Sequence, residues 1–316
     1  MPLLAAPLRP GQLIAIPTPA SPAPRDRLEL GRLELVKAGF RVRLGPLALE
    51  QARSGTRFAG DDAARAAELN EMFRDPEVRA VICARGGYGT MRLLDRLDYD
   101  ALVREPKIIV GFSDITALLQ AVWCRAGLVT FHGRMAAMDS PWNDYDRRLL
   151  LRALTIAEPL GTLPHPPGGP PLVTIVPGTA TGPLVGGNLA MLAALSGTPF
   201  ELDPAGCILL LEDVREPLYR IDRMLTTLRL AGKLERVGGV VFGETSGITD
   251  EEGCPRPGFV SLLQELLGPR GIPCYYGLAA GHGDYRATVP LGVVARMDAA
   301  RCELTLLEPA LAGRGG

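Results

Sequence analysis

The sequence predicts an α/β fold: an N-terminal parallel sheet flanked by helices, plus a smaller C-terminal α/β, strand-rich domain. Two observations carry this. In the first half, short apolar runs rich in β-branched residues (residues 13–16, 78–84 and 108–112) alternate with helical patterns, as buried parallel strands joined by crossover helices do. Residues 159–171 are then dense in proline and glycine and carry no periodicity, the composition of a linker. Beyond them the strands are shorter and the helices fewer. The expected organisation is a first domain at 1–158, a linker at 159–175 and a second domain at 176–316.

Taken in order, Leu13-Ile14-Ala15-Ile16 reads as a strand stopped by Pro17 and Pro19. Leu28, Leu33, Leu35 and Val36 give residues 25–38 a helical pattern that Gly39 ends. A short strand at 40–44 and an Ala-rich helix at 63–73 follow. The strand at 78–84 runs into Arg85-Gly86-Gly87-Tyr88-Gly89, and residues 90–97 look helical. The strand ending at Phe112 is followed at once by Ser113-Asp114 and a helical run at 115–123; a strand at 128–132 and a helix at 143–157 complete this half. The loops after Ala84, Phe112 and Phe131 all fall on the carboxyl edge of the sheet, where ligands of such folds bind. In the second half, Val185-Gly186-Gly187-Asn188-Leu189 leads into a helix to Leu195. Residues 207–211 form a buried strand ending in Glu212-Asp213. Pro217 opens a helix whose core face is Leu218, Ile221, Leu225 and Leu228. Further strands are expected at 237–242, 274–278, 292–297 and 302–307, and a helix at 259–267. No internal repeat is present.

Composition narrows the function. Net charge is −1, from 34 basic and 35 acidic residues, and aromatics make up 5%, so neither nucleic acid nor an anionic membrane is an expected partner. No apolar run reaches membrane-spanning length. The apolar N-terminus is broken by Pro2, Pro7, Pro10, Pro17 and Pro19 and has no basic n-region, so a signal peptide is not expected. The six cysteines (Cys83, Cys124, Cys207, Cys254, Cys274 and Cys302) form no C-x-x-C pair. Cys83 and Cys207 adjoin apolar, strand-like runs, so buried thiols rather than disulfides or zinc ligands, in a reducing, cytoplasmic setting, are expected.

The chemistry-bearing residues are few. Ser113 lies where a strand turns sharply into a helix, which is the mechanical idea of a nucleophile elbow; the alternative is that Ser113 or Asp114 is only an N-cap. Of three histidines, His165 falls in the linker and His132 ends a strand. His282 lies between Gly281 and Gly283 after a strand, where the backbone has room for close approaches. Glu212 ends an apolar strand, a position where a charge is costly unless used or paired. Asp213 is its nearest competitor, and Arg215, Arg220 and Arg223 are its alternative partners. The turn at Gly86-Gly87-Tyr88-Gly89 lacks the third glycine of a dinucleotide fingerprint, but its N–H groups would suit an oxyanion hole. No metal or phosphate-binding motif occurs, and neither metal nor cofactor is expected.

Together these residues resemble the LD-carboxypeptidase family of serine peptidases, which also holds the microcin C immunity peptidases. The resemblance rests on Ala84-Arg85-Gly86-Gly87-Tyr88-Gly89, Gly111-Phe112-Ser113-Asp114-Ile115-Thr116, Gly186-Gly187-Asn188-Leu189, Leu211-Glu212-Asp213-Val214, Tyr219-Arg220-Ile221-Asp222-Arg223, and Gly281-His282 leading to Pro290-Leu291-Gly292. It implies that Ser113 is the nucleophile, His282 the general base and Glu212 the residue that orients it, with an oxyanion hole from the N–H groups of Gly87 and Asp114. It also implies a murein tetrapeptide substrate, release of terminal D-alanine at an L–D bond in cytoplasmic peptidoglycan recycling, and a homodimer. Because Ser113 and His282 come from different halves, a site assembled from both is expected. A carboxypeptidase needs a cation for the terminal carboxylate; Arg85, Arg134 and Arg286 are the candidates. The alternatives are an immunity-type peptidase acting on an aminoacyl or peptidyl adenylate, and a non-catalytic small-molecule-binding protein.

Overall fold

The computed structural model describes residues 2–49, 57–249 and 257–313. The chain divides into two compact units. One holds residues 1–158, 288–290 and 309–316; the other holds 159–287 and 291–308.

The first unit is built on β1 (Leu13–Ile16), α1 (Arg25–Lys37), β2 (Arg41–Leu44), α2 (Pro46–Leu49), α3 (Asp62–Arg74), β3 (Val78–Ile82), α4 (Tyr99–Arg104), β4 (Ile108–Gly111), α5 (Thr116–Ala126), β5 (Thr130–His132) and α6 (Asp144–Thr155). Strands β1 to β5 pair in parallel in the order β5-β4-β3-β1-β2. Every residue of β1 and β4 is buried, as a strand covered on both faces requires. Residues 90–96, expected to be helical, form a 3₁₀ turn.

The second unit continues with β6 (Gly161–Thr162), β7 (Val173–Val176), β8 (Thr179–Asn188), α7 (Leu189–Ala194), β9 (Ile208–Glu212), α8 (Leu218–Leu230), β10 (Gly239–Gly243), α9 (Pro257–Leu267) and β11 (Cys274–Leu278). Strand β12 (Val289–Leu291) joins the edge of the first sheet, beside β5. Strands β13 (Val294–Asp298) and β14 (Glu303–Leu306) complete the second sheet, in the order β6-β14-β13-β8-β9-β10-β11-β7. Strands β8 to β11 run parallel, so Asn188, Glu212, Gly243 and Leu278 end on one edge. The outer strands pair antiparallel. Ile221, Leu225 and Leu228 bury one face of α8 at helical spacing, and the rings of Phe242 and Phe259 meet edge to face at 5.0 Å. The stretch read as a linker therefore contributes two strands. Both lie at edges of the sheet, where proline neighbours cost no ladder bond.

Candidate active site

In the first unit, β4 leads through extended Phe112 to Ser113, whose φ is +60°. Left-handed backbone costs a residue with a Cβ roughly 1–2 kcal/mol, so the surrounding structure must hold it. Two glycines make the room. A side chain on Gly111 would collide with Ile115, and a Cβ on Gly86 would lie 3.1 Å from Ser113 Cβ and 3.3 Å from the Asp114 nitrogen. The turn that follows, Ser113–Ile115, is 3₁₀ and passes into α5. Neither Ser113 nor Asp114 caps α5 with its side chain, which removes the capping alternative.

Asp114 is instead turned to the glycine turn. Its Oδ2 accepts the Thr90 N–H at 3.0 Å and the Thr90 hydroxyl at 2.6 Å, all buried. Gly87, at φ +112°, passes so close to Ser21 that any side chain there would strike it, and Tyr88 N–H donates to Ser21 Oγ at 3.2 Å. Arg65 of α3, fully buried, donates to the carbonyls of Pro19 (2.5 Å) and Gly89 (3.1 Å). Glu68, one turn on, accepts from Thr18 N–H at 2.8 Å. One face of α3 thus pins the loop after β1, and that loop supports the glycine turn. Sequence reasoning missed Ser21, Arg65, Glu68 and Thr90. An arginine in an Ala-rich helix gives no signal of where its guanidinium goes.

In the second unit, Glu212 at the end of β9 is fully buried, and its Oε2 lies 2.5 Å from His282 Nδ1. Of the arginines raised as alternatives for Glu212, Arg220 pairs with Glu216 and Arg223 lies over the Tyr219 ring. His282 sits on a turn after β11. Its N–H donates to the Glu244 carbonyl at 3.0 Å, and Gly281 runs so close to Glu244 that a side chain there would collide with backbone. With Nδ1 engaged by a carboxylate, proton transfer falls to Nε2. Asp213 faces elsewhere: it accepts from Val214 N–H at 2.8 Å, Ala190 N–H at 3.0 Å and Asn188 Nδ2 at 3.3 Å. Burial, and then the Glu212 charge, push its pKa up to about 6.

The three candidate arginines have different surroundings. Arg134, buried, makes an ion pair with Asp146 at 2.7 Å, donates to Ser140 O at 2.5 Å and stacks on Trp142. Its charge is already neutralised, which counts against it as a carboxylate receptor. Arg286 is buried and donates to Gly283 O at 2.8 Å, holding the His282 turn. Arg85 is half-buried and next to Gly86, and its single hydrogen bond among the described residues is a 3.4 Å contact to Pro22 O. His132 is buried with its ring edge-on to Phe112, and His165 is exposed. Cys83, Cys207 and Cys274 are buried free thiols, and Cys254 lies outside the described residues. Among the described residues, no group of three or more His, Cys, Asp or Glu is placed to hold a metal ion, and no helix is long and apolar enough to cross a membrane.

Known proteins resemble this chain over nearly its whole length. A model described as the LD-carboxypeptidase N-terminal domain matches residues 14–133, and one described as the LD-carboxypeptidase C-terminal domain matches 181–297. A Streptomyces coelicolor protein named as a carboxypeptidase is 43% identical over 311 residues, covering 98% of this chain and 97% of the relative. The murein tetrapeptide carboxypeptidase of Pseudomonas aeruginosa is 33% identical over 304 residues, covering 91% and 94%. Among solved structures, the microcin C7 self-immunity protein MccF in complex with glutamyl sulfamoyl guanosine matches with a TM-score of 0.90 at 27% identity, covering 98% of this chain and 100% of that one.

Proposed function

Because the chain belongs to the LD-carboxypeptidase family, we propose that it is a serine peptidase that removes terminal D-alanine from murein tetrapeptide. The carrying observation is the buried Glu212 carboxylate at 2.5 Å from His282 Nδ1. It is supported by the strained backbone of Ser113 packed on Gly86.

In this reading His282 Nε2 takes the Ser113 proton as Oγ attacks the carbonyl before D-alanine. Glu212 fixes the tautomer and stabilises the imidazolium. The developing oxyanion is met by the N–H groups of Gly87 and Asp114, each worth roughly 3 kcal/mol in other enzymes. The imidazolium then protonates the leaving amine, D-alanine departs, and water hydrolyses the acyl-enzyme. The same reading puts the enzyme in the cytoplasm, in peptidoglycan recycling, as a homodimer. The similarity to MccF, solved with glutamyl sulfamoyl guanosine and with aspartyl sulfamoyl adenosine, favours a second reading, cleavage of an aminoacyl or peptidyl adenylate conjugate.

Mass spectrometry of products from a murein tetrapeptide of defined stereochemistry, run beside an aminoacyl-adenylate analogue, separates the two. Ser113→Ala should lower D-alanine release by about 10⁴-fold or more with the melting curve intact. Turnover retained by that variant refutes the nucleophile. Saturable binding without turnover, unchanged in Ser113→Ala, would mark a binding protein instead.

A further inference from the structure

We infer that Arg85 is the cation that receives the C-terminal carboxylate of the substrate, and so the residue that makes this chain an exopeptidase; the inference rests on the peptidase reading above. Arg85 follows β3 and immediately precedes Gly86, the glycine packed against Ser113. In a substrate cut before its last residue, the terminal carboxylate carbon lies within about 4 Å of the scissile carbonyl carbon. Its receptor must therefore belong to the immediate surroundings of the nucleophile, within reach of a long side chain.

The state of the guanidinium points the same way. Other buried cations of the first unit have an acid: Arg65 has Asp62, Lys107 has Glu105 and Arg134 has Asp146. Arg85 has no carboxylate partner among the described residues, only the long bond to the neutral carbonyl of Pro22. Burial, and then the nearby charge of Arg27, weaken its hold on its proton. A partly desolvated cation beside a second cation carries an electrostatic cost that an incoming carboxylate relieves. The planar fork of arginine fits a carboxylate through two parallel bonds, which an amide cannot match.

The test compares murein tetrapeptide ending in a free carboxylate with the same peptide ending in a carboxamide, using the full chain. The wild type should favour the acid by roughly 100-fold in kcat/KM. In Arg85→Met that ratio should fall to near one. Arg85→Lys, which keeps the charge but not the fork, should fall between and serves if Arg85→Met does not fold. An unchanged ratio in a folded Arg85 variant overturns the inference while leaving the peptidase reading in place. Failure of the wild type to cut either peptide removes the peptidase reading, and the inference with it.

Discussion

Glu212 and Asp213 are adjacent carboxylates with different partners. Glu212 meets His282, whereas Asp213 ties β9 to the start of α7 through Asn188 and Ala190. A charge at the end of an apolar strand was readable in the sequence as a residue with a purpose. Which of the two carboxylates faces the imidazole was not, because adjacent strand residues point to opposite faces and only tertiary register decides which face meets β10 and β11. Asp213 has a consequence for stability. Its folded pKa of about 6 lies above the ordinary 3.8, through burial and then the Glu212 charge. The folded state therefore holds this proton more tightly than the unfolded chain. That contribution is fully present below about pH 4 and is lost as pH rises through 6. Between pH 4 and 7 the wild type should lose stability relative to Asp213→Asn, by at most about 3 kcal/mol. Denaturant unfolding of both proteins at four pH values measures it; a flat difference would mean that Asp213 titrates normally.

At the scale of elements, two turns from different strands are joined by one buried carboxylate. The glycine turn after β3 and the Ser113 turn after β4 meet through Asp114 and Thr90. If Gly87 and Asp114 supply the oxyanion donors, this link fixes their spacing. Thr90→Val keeps the shape and removes the hydroxyl. It should lower kcat about 10-fold with KM changed less than twofold, since the donors act on the transition state rather than the bound peptide. Thr90→Ser should recover most of the loss, and equal losses in both variants would reduce the link to packing. The interior strands other than β8 were legible as apolar runs, and α8 as a periodic face opened by Pro217. Those that escaped are β8, an interior strand interrupted by glycines and Pro183, and the edge strands β6, β7 and β12. Edge strands are short and half-paired, and they tolerate proline, as Pro290 within β12 does. They carry neither the alternation nor the length that marks a strand in sequence. The turn at 90–96 shows the same limit: its apolar spacing suits a helix, but Gly89 at φ +119° and the Asp114 anchor tighten it to 3₁₀.

For the whole molecule, the order of the chain and the order of the units differ. The first unit takes back residues 288–290 as part of β12 and residues 309–316 as its terminal segment. A cut after residue 158 therefore leaves this unit without its edge strand and terminal segment. The segment contributes by burial: Leu311 is fully buried, Ala310 nearly so, and Ala312 N–H donates to Ala5 O at 2.9 Å. Burying a leucine contributes about 2–3 kcal/mol and the backbone bond about 1 kcal/mol. A chain ending at Glu308 should thus lose about 3 kcal/mol, lowering Tm by roughly 6–12 °C for a unit of this size. Leu311→Ala in the intact chain should account for most of the loss, because a side chain with no exposed surface leaves a cavity when shortened. Calorimetry of the intact protein, the chain ending at Glu308 and Leu311→Ala decides the matter. If the chain ending at Glu308 melts within a degree of the intact protein, the segment after Glu308 adds nothing to the first unit, whose core is then complete without it.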